Sequence, residues 1–291
     1  MKLNVLRKGI LALALATVLI SCTEDEVATV FEESLTAEDV SAIEEIDAAM
    51  DDVSVDVEQA FVLVEGASAL STKAALDKSE TDKGGPDFFP ECLTKTVVTE
   101  QNMKIVTLDF GEGCEIRGRF IAGIIMMTYE KDPDLQTKTI TVTFDGYRVN
   151  KKLIEGSKTI VRTRENENGN PQSTSTFDVM VTWDNGDTAS RVGEKVREMI
   201  SGADTWIWSD NVYSTTGNWN TVRKNGTEIT AQIVNPLIRN LECRFIISGS
   251  IDLTKNDRHG VLDFGEGECD NMATLTLDDG TVIEVTLPKR D

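Results

Sequence analysis

The chain has 291 residues, of which 29 are Lys or Arg and 50 are Asp or Glu, so its formal net charge is −21. So acidic a chain lacks the basic surface that nucleic-acid phosphates require, and charge alone would not hold it on an anionic lipid surface. Its length suits one large β domain with an appendage, or two domains.

The first 21 residues have the pattern of a bacterial lipoprotein signal peptide (residues 1–21). A basic start is followed by an apolar run over residues 9–20, which is too short to span a bilayer. The run ends in Leu-Ile-Ser directly before Cys22, a sequence that resembles a lipobox. We therefore predict that the chain is cleaved before Cys22 and that the Cys22 thiol carries a diacylglyceryl anchor.

The residues that follow Cys22 predict where the anchored chain resides. The run Thr-Glu-Asp-Glu at 23–26 resembles the surface-export signal of Bacteroidota lipoproteins, which implies the outer leaflet of the outer membrane. Residues 22–35 as a whole are predicted to form a flexible tether. The alternative to surface export is that the acidic run is merely a solvated part of this tether and that the chain faces the periplasm. In both cases the outer membrane is the expected partner, through the acylated cysteine.

A helical segment is predicted over residues 36–78. Thr36 can cap the helix, and acidic residues in the first turn suit the helix dipole. Apolar residues then recur at spacings of three and four and define one face: Val40, Ile43, Ile46, Met50 and Val53. Residues 55–64 fit either a helical or a strand period. The apolar face packs on the protein's own β domain, serves as a stalk, or binds a partner.

Residues 79–90 are predicted to be a linker and a domain boundary. They contain Gly84-Gly85-Pro86 and Pro90 within charged sequence, and Gly and Pro interrupt regular structure. The β domain is therefore expected to occupy residues 91–291.

Most of the β domain has a period of two, which is typical of strands. Favoured hairpin dipeptides such as Asp145-Gly146 and Asn185-Gly186 separate the runs. We expect a mainly β fold, an antiparallel meander of roughly ten to twelve strands that forms a sandwich or flattened barrel. Residues 190–202 are the one stretch that could be a short helix.

One stretch occurs twice in the β domain. Leu-Asp-Phe-Gly-Glu-Gly at 108–113 returns at 262–267, and a Glu-Cys pair precedes each copy. Each copy is typical of a strand that runs into a tight turn, because its glycines accept positive φ. Four cysteines allow three pairings, and the one that follows the repeat joins Cys92 to Cys114 and Cys243 to Cys269. We therefore predict two stapled hairpins.

The acidic residues of the repeat could instead form a cation site, since carboxylates suit Ca²⁺. The candidates are Asp109, Glu112, Asp263, Glu266 and Glu268, although the ligand spacing of an EF-hand is absent. The one histidine, His259, lies in a polar turn. We expect no metal, no cofactor and no catalytic residue, because the expected disulfides also withdraw the thiols that Zn²⁺ prefers.

Five segments of the β region carry a family resemblance: 108–114, Tyr147-Arg148-Val149-Asn150, 154–158, 243–249 and Cys269-Asp270-Asn271. With them, the region from Cys92 to Leu287 resembles a family of Bacteroidota outer-membrane lipoproteins. The resemblance implies the envelope location and the antiparallel architecture, and it implies no particular activity.

Four aromatic residues are candidates for a ligand platform: Trp206, Trp208, Tyr213 and Trp219. Trp206 and Trp208 are two positions apart and would share a face of a strand. Exposed aromatic rings stack on sugar rings, and a surface location would suit a glycan binder. The alternative is that these side chains are ordinary core residues.

The sequence as a whole favours a non-enzymatic lipoprotein that acts as a binding or interaction module, with a glycan or a protein as its ligand. A carrier that holds a lipid or other apolar molecule between sheet and helices is the first alternative. A glycan hydrolase with a carboxylate pair is the second, although the chain has no Glu-x-Asp-x-Glu strand motif.

Overall fold

The computed structural model describes residues 34–66, 91–116, 118–132, 136–205 and 207–290. The predicted signal peptide, Cys22, the linker at 79–90 and Trp206 lie outside the described residues. The same is true of residues 67–78, the last part of the predicted helical segment.

One long helix, α1, spans Ala37–Glu65. Its first turn forms a capping box with Thr36, as the sequence predicts. The Asp39 backbone N–H donates to Thr36 Oγ1 at 3.1 Å, and the Thr36 backbone N–H donates to Asp39 Oδ2 at 3.1 Å. The stretch 55–64, which fits two periods, is helical. Gly66 ends the helix with a φ of +61°.

The rest of the described chain is a single antiparallel sheet of fourteen strands. The strands are β1 Thr94–Glu100, β2 Met103–Asp109, β3 Cys114–Ile116, β4 Arg119–Glu130, β5 Thr137–Val149, β6 Lys152–Thr163, β7 Gln172–Trp183, β8 Thr188–Ser201, β9 Val212–Arg223, β10 Glu228–Asn240, β11 Ser248–Lys255, β12 Arg258–Glu266, β13 Met272–Leu277 and β14 Val282–Thr286. Each strand pairs with the next along the chain, except that the short β3 pairs with β4 beside β2. The predicted mainly β meander with a preceding helix is confirmed, and it has fourteen strands where roughly ten to twelve were expected.

The short helix suggested for 190–202 is wrong, because residues 190–201 belong to β8. Pairs with β7 run from Thr188 to Glu198, and pairs with β9 run from Ala189 to Ser201. The stretch is rich in Glu, Lys, Arg and Met, which favour helix as isolated residues. Hydrogen bonding to a neighbour on both sides outweighs that local preference.

The sheet curls around α1 and remains unclosed, with β1 and β14 at its two ends. Side chains from β2, β4, β6, β8, β9 and β11 all reach α1. A flat sheet of this size would be roughly 60 Å wide, whereas a helix is only about 10–12 Å across. So many strands can touch one helix only if the sheet is strongly curved. The helix therefore covers the concave face, and α1 and the sheet belong to one compact unit, Glu32–Asp291.

Two glycines within strands allow neighbouring backbones to approach closely in this curved sheet. Gly156 in β6 has a φ of +104°, and a Cβ there would collide with the carbonyl oxygen of Asp178 in β7. Gly217 in β9 has a φ of +140°, and a Cβ there would collide with the carbonyl oxygen of Glu194 in β8. Only glycine fits both positions.

Both predicted disulfides are present. Cys92 bonds to Cys114 and Cys243 bonds to Cys269, with Cα atoms 5.7 Å apart in each pair. The two copies of the repeat also form turns of the same kind. The carboxylates of Asp109 and Asp263 each accept a 2.8 Å hydrogen bond from the backbone N–H two residues later. The aspartates of the repeat therefore shape its turns.

Replacing either cysteine pair with serines should lower the free energy of unfolding by about 2–4 kcal/mol, because each disulfide limits the freedom of the unfolded chain. Urea unfolding of C92S/C114S and of C243S/C269S, compared with the oxidised parent, measures this. All three proteins should unfold at a similar midpoint once all three are reduced, because each variant still holds the other disulfide until then. Peptide mapping that links Cys92 or Cys114 to Cys243 or Cys269 would contradict the pairing.

Candidate functional site

Helix α1 is strongly acidic and carries no Lys or Arg. Its ten acidic residues are Glu38, Asp39, Glu44, Glu45, Asp47, Asp51, Asp52, Asp56, Glu58 and Glu65. Several of them are buried against the sheet together with the apolar face of the helix. Buried carboxylates are costly unless they are paired, so the concave face of the sheet must supply positive charge.

The concave face of the sheet supplies that charge from many strands. In the centre, Arg191 and Lys195 of β8 both bind Asp47, at 3.1 and 2.5 Å. Other pairs run along the helix: Lys104 with Glu65 at 2.6 Å, Arg119 with Asp56 at 3.4 Å, Arg162 with Glu58 at 2.9 Å, Arg223 with Asp39 at 3.0 Å and Lys255 with Asp39 at 2.8 Å. We call this set of pairs between α1 and the sheet the charged interior.

The strand period explains why these cations point inward. Arg191, Lys195 and Arg197 of β8 lie an even number of residues apart and therefore share one face of the strand. Lys158, Ile160 and Arg162 of β6 do the same, and all three are buried. The even spacing of these cations is visible in the sequence. Charged residues of a strand usually face solvent, however, so the spacing alone does not predict that they are buried.

The carboxyl end of the described chain closes the charged interior. Arg290 is only 2% exposed, and its guanidinium lies 2.6 Å from Glu44, which has no exposed surface. The backbone N–H of Arg290 donates to the carbonyl oxygen of Arg244 at 2.7 Å, which fixes the segment against the sheet. Burial opposes the charge of Arg290, but Glu44, Asp51 and Asp47 outweigh it and raise the pKa of the guanidinium.

A small space with a mixed polar and apolar lining, which we call the inner cavity, lies between α1 and strands β6–β9. Its volume is about 40 Å³, and its lining includes Lys158, Arg162, Lys195, Arg197, Asp47, Asp51 and Ser54. The ammonium of Lys158 donates to Ser54 Oγ at 2.5 Å. Burial lowers the pKa of Lys158 to about 7, an effect that Asp51 opposes and that Lys195 and Arg197 reinforce.

A larger and more open space, which we call the Trp183 cleft, lies beside the first turns of α1. Its volume is about 620 Å³, and it is lined by Glu38, Ser41, Ala42, Glu45, Trp183, Asn185, Asp187, Thr188, Arg223, Lys224 and Asn225. The Trp183 indole N–H donates to Glu45 Oε2 at 2.9 Å. The side-chain amide of Asn185 donates to Asp187 Oδ2 at 2.7 Å, and the Lys224 ammonium donates to the carbonyl oxygen of Gly186 at 2.9 Å.

The aromatic residues that the sequence singled out are placed in two groups. Tyr213 and Trp219 lie on the inward face of β9 and are 5% and 3% exposed. Arg197 lies 3.7 Å from the Tyr213 ring centre, and Lys195 lies 4.5 Å from the Trp219 ring centre. Trp208 is half-buried in a separate short 3₁₀ helix, Trp208–Asp210. Tyr213 and Trp219 therefore form an aromatic wall of the charged interior, and no common exposed platform joins them to Trp208 among the described residues.

The sequence did not single out Trp183, although it directly precedes the predicted Asn185-Gly186 turn. The only available signal was its position at the end of a strand beside a turn rich in hydrogen-bonding side chains. Its partner Glu45 is 138 residues away in sequence, so local reasoning could not connect the two.

The other candidate residues lie in β2, in β12 and in the turns beside these strands. In the described parts of the chain, no group of three or more His, Cys, Asp or Glu side chains is arranged to hold a metal ion. Asp109 and Asp263 cap their own turns, as described above. His259 is exposed, and its Nδ1 lies 3.0 Å from Thr254 Oγ1.

Comparisons with protein-family models, with curated proteins and with solved structures find no match to this chain. Membership of the lipoprotein family that the sequence resembles therefore stays a prediction. Among the described residues, no helix combines the length and the apolar character needed to cross a membrane.

Removing the guanidinium of Arg290 should be strongly destabilising, because it leaves Glu44 buried without its cation. We expect Arg290→Met to lower the free energy of unfolding by about 3–5 kcal/mol, measured by urea denaturation. The neighbouring Lys289 is exposed, so Lys289→Met should change it by no more than about 0.5 kcal/mol. Equal effects of the two substitutions would contradict the role given to Arg290.

Lys158→Met should become more stabilising as the pH falls from about 10 to about 7. In this range the unfolded chain holds the Lys158 proton and the folded chain releases it, so the parent loses up to about 1.4 kcal/mol per pH unit. Below pH 7 both states hold the proton and the difference should stay constant. Urea denaturation across this range measures the difference.

Lys255→Met is the matched control for Lys158→Met. Lys255 is buried to a similar degree, but it pairs with Asp39 at 2.8 Å. The same substitution should therefore destabilise the protein throughout this pH range. A loss of stability in Lys158→Met as large as that in Lys255→Met would show that the Lys158 charge is well compensated.

Proposed function

We propose that the protein is a lipid-anchored protein of the bacterial cell envelope that binds a polar ligand, without catalysis, in the Trp183 cleft. The observation that carries the proposal is the cleft itself, which combines one aromatic side chain with many fixed hydrogen-bonding groups. A volume of about 620 Å³ falls within the usual range for small-molecule sites.

The groups around the cleft are held in place before any ligand arrives. The indole of Trp183 is fixed by Glu45, and the turn that carries Asn185 is closed by a 2.9 Å hydrogen bond from the Gly186 N–H to the Trp183 carbonyl oxygen. Arg223 is fixed by its 3.0 Å pair with Asp39. Such preorganisation lowers the entropy that binding would otherwise cost.

The chemistry of the cleft favours a saccharide. An indole offers an apolar face with a polar edge, and the amides of Asn185 and Asn225 can both donate and accept hydrogen bonds. Glu38, Asp187, Arg223 and Lys224 add charged groups of both signs to the lining. Sugars present hydroxyl groups around an apolar ring face, so they match this combination better than an apolar ligand does.

The carrier alternative has less support from the arrangement of sheet and helix. The space between α1 and strands β6–β9 measures only about 40 Å³, and charged side chains such as Lys158 and Asp51 lie among the apolar side chains that line it. An acyl chain would need a larger and apolar cavity. The apolar face of α1 is instead packed against the sheet.

The envelope location rests on the signal peptide and on Cys22, both outside the described residues. The two disulfides support it, because such bonds persist mainly in oxidising compartments such as the periplasm and the cell surface.

A glycan array probed with the mature chain tests the binding site. Trp183→Ala should weaken the strongest saccharide signal by at least tenfold, because truncating an aromatic hot spot of a binding site costs about 2 kcal/mol or more. Trp208→Ala is the matched control and should leave the signal unchanged. The proposal fails if the parent binds no glycan, or if Trp208→Ala removes the signal while Trp183→Ala keeps it.

The anchor is tested separately by replacing Cys22 with serine. The parent should partition with membranes and carry the added mass of the lipid, whereas Cys22→Ser should be released as unacylated protein. Protease treatment of intact cells then separates the two faces of the outer membrane: degradation supports a surface location, and protection supports the periplasmic face. An unmodified Cys22 in the parent would contradict the anchor.

A further inference from the structure

The inner cavity has an excess of positive charge. Three acidic residues line it, Asp47, Asp51 and Glu58, against five basic residues: Lys158, Arg162, Arg191, Lys195 and Arg197. The acidic residues are already engaged, since Asp47 serves both Arg191 and Lys195, Glu58 binds Arg162, and Asp51 lies 3.7 Å from Arg290. Such an imbalance is costly in a water-poor interior.

Lys158 is the clearest uncompensated group. It is only 5% exposed, and its ammonium donates to the hydroxyl of Ser54 at 2.5 Å. In the part of the chain that the structure describes, no carboxylate lies within 4.0 Å of it. An ammonium has three N–H donors, so Lys158 retains capacity for an acceptor inside the cavity.

Arg197 is the second such group. Its guanidinium carbon lies 3.7 Å from the centre of the Tyr213 ring, which holds the side chain in place. Among the described carboxylates, none forms an ion pair with Arg197. A guanidinium presents a fork of donors that matches the oxygens of phosphate and similar anions.

Hydroxyl groups also line the inner cavity, beside apolar side chains such as Ile160 and Phe177: Ser54 on α1, Ser173 and Ser175 on β7, and Thr215 on β9. A site for one water needs about 10–15 Å³ on this measure of volume. A cavity of about 40 Å³ therefore has room for a few waters or for one small polyatomic anion.

We propose that the inner cavity binds a small tetrahedral oxyanion of the phosphate or sulfate class, held by Lys158 and Arg197 and by the surrounding hydroxyl groups. This site is separate from the Trp183 cleft and does not depend on the proposed function. The anion would supply the negative charge that the lining lacks and would fix α1 to strands β6–β9.

The lowered pKa of Lys158 gives the proposal a pH signature. The groups that face Lys158 are Asp47, Asp51 and Glu58 on α1, Arg162 on β6, Arg191, Lys195 and Arg197 on β8, and Tyr213 on β9. A bound anion favours the protonated ammonium, so binding should be coupled to proton uptake as the pH rises through about 7.

Thermal unfolding in sodium sulfate, sodium phosphate and sodium chloride at equal ionic strength tests the proposal with the mature chain. Sulfate also stabilises proteins in general, so the readout is the difference between variants. The parent should unfold at a higher temperature in sulfate or phosphate than in chloride. In Lys158→Met the rise in unfolding temperature from chloride to sulfate or phosphate should be smaller than in the parent, and only the general stabilising effect of the salt should remain. The difference corresponds to an affinity for the anion that is at least tenfold weaker.

Lys104→Met is the control, since Lys104 is an inward cation that pairs with Glu65 at 2.6 Å, away from the inner cavity. It should keep the shift in full.

The shift that sulfate causes in the parent should also shrink as the pH rises above 7, where the charge of sulfate is constant. The affinity for sulfate should fall by up to tenfold per pH unit. Glycerol phosphate is a further probe. If it causes no shift, the inner cavity accepts only a free anion; if its shift equals that of phosphate, the cavity also accepts a phosphate ester.

The proposal is overturned if the parent shows no shift beyond that of Lys158→Met, or if Lys104→Met loses the shift as well. Isothermal titration of the parent with sulfate at pH 6.5 gives an independent measure. Binding there that Lys158→Met retains unchanged would likewise overturn it.

Discussion

The pairing of an acidic helix with the cationic concave face of one sheet is the constraint on which this structure depends. Helix α1 carries ten acidic residues and no basic ones, so it cannot be buried unless the sheet provides cations. Arg191 and Lys195 meet this need at Asp47, and Arg290 meets it at Glu44. The same contacts require a strongly curved sheet, because strands that are far apart in the meander all reach one helix. Charge pairing and apolar packing thus act on the same surface.

Local rules predicted much of the fold. The Thr36 cap, the meander and both disulfides depend on short spacings and on an internal repeat, which a single sequence reveals. The helix suggested for 190–202 was a wrong prediction. Residues such as Glu194 and Lys195 favour helix locally, whereas β8 has a partner strand on each side. Pairing partners are decided by the whole sheet and cannot be derived from the stretch itself.

The candidate sites could be predicted less well, since both combine residues that are far apart in sequence. The Trp183 cleft joins Glu45 to Trp183, and the inner cavity joins Ser54 to Lys158. Sequence reasoning singled out the cluster from Trp206 to Trp219 as a candidate ligand platform because its members are close together in sequence, with core packing as the alternative. Tyr213 and Trp219 instead face the interior, where they pack beneath Arg197 and Lys195. Proximity in sequence was thus a poor guide to which aromatic residues face solvent in a curled sheet.

The most direct test of the central claim is hydrogen exchange along α1, followed by mass spectrometry. If the helix is an integral part of the core, the backbone amides of residues 43–62 should be protected as strongly as those of β6 to β8, and should exchange only by global unfolding. Arg290→Met, which removes the partner of Glu44, should increase exchange in both regions together. Rapid exchange along α1 while β6 to β8 stay protected would contradict the account, because the sheet would then be stable without its helix.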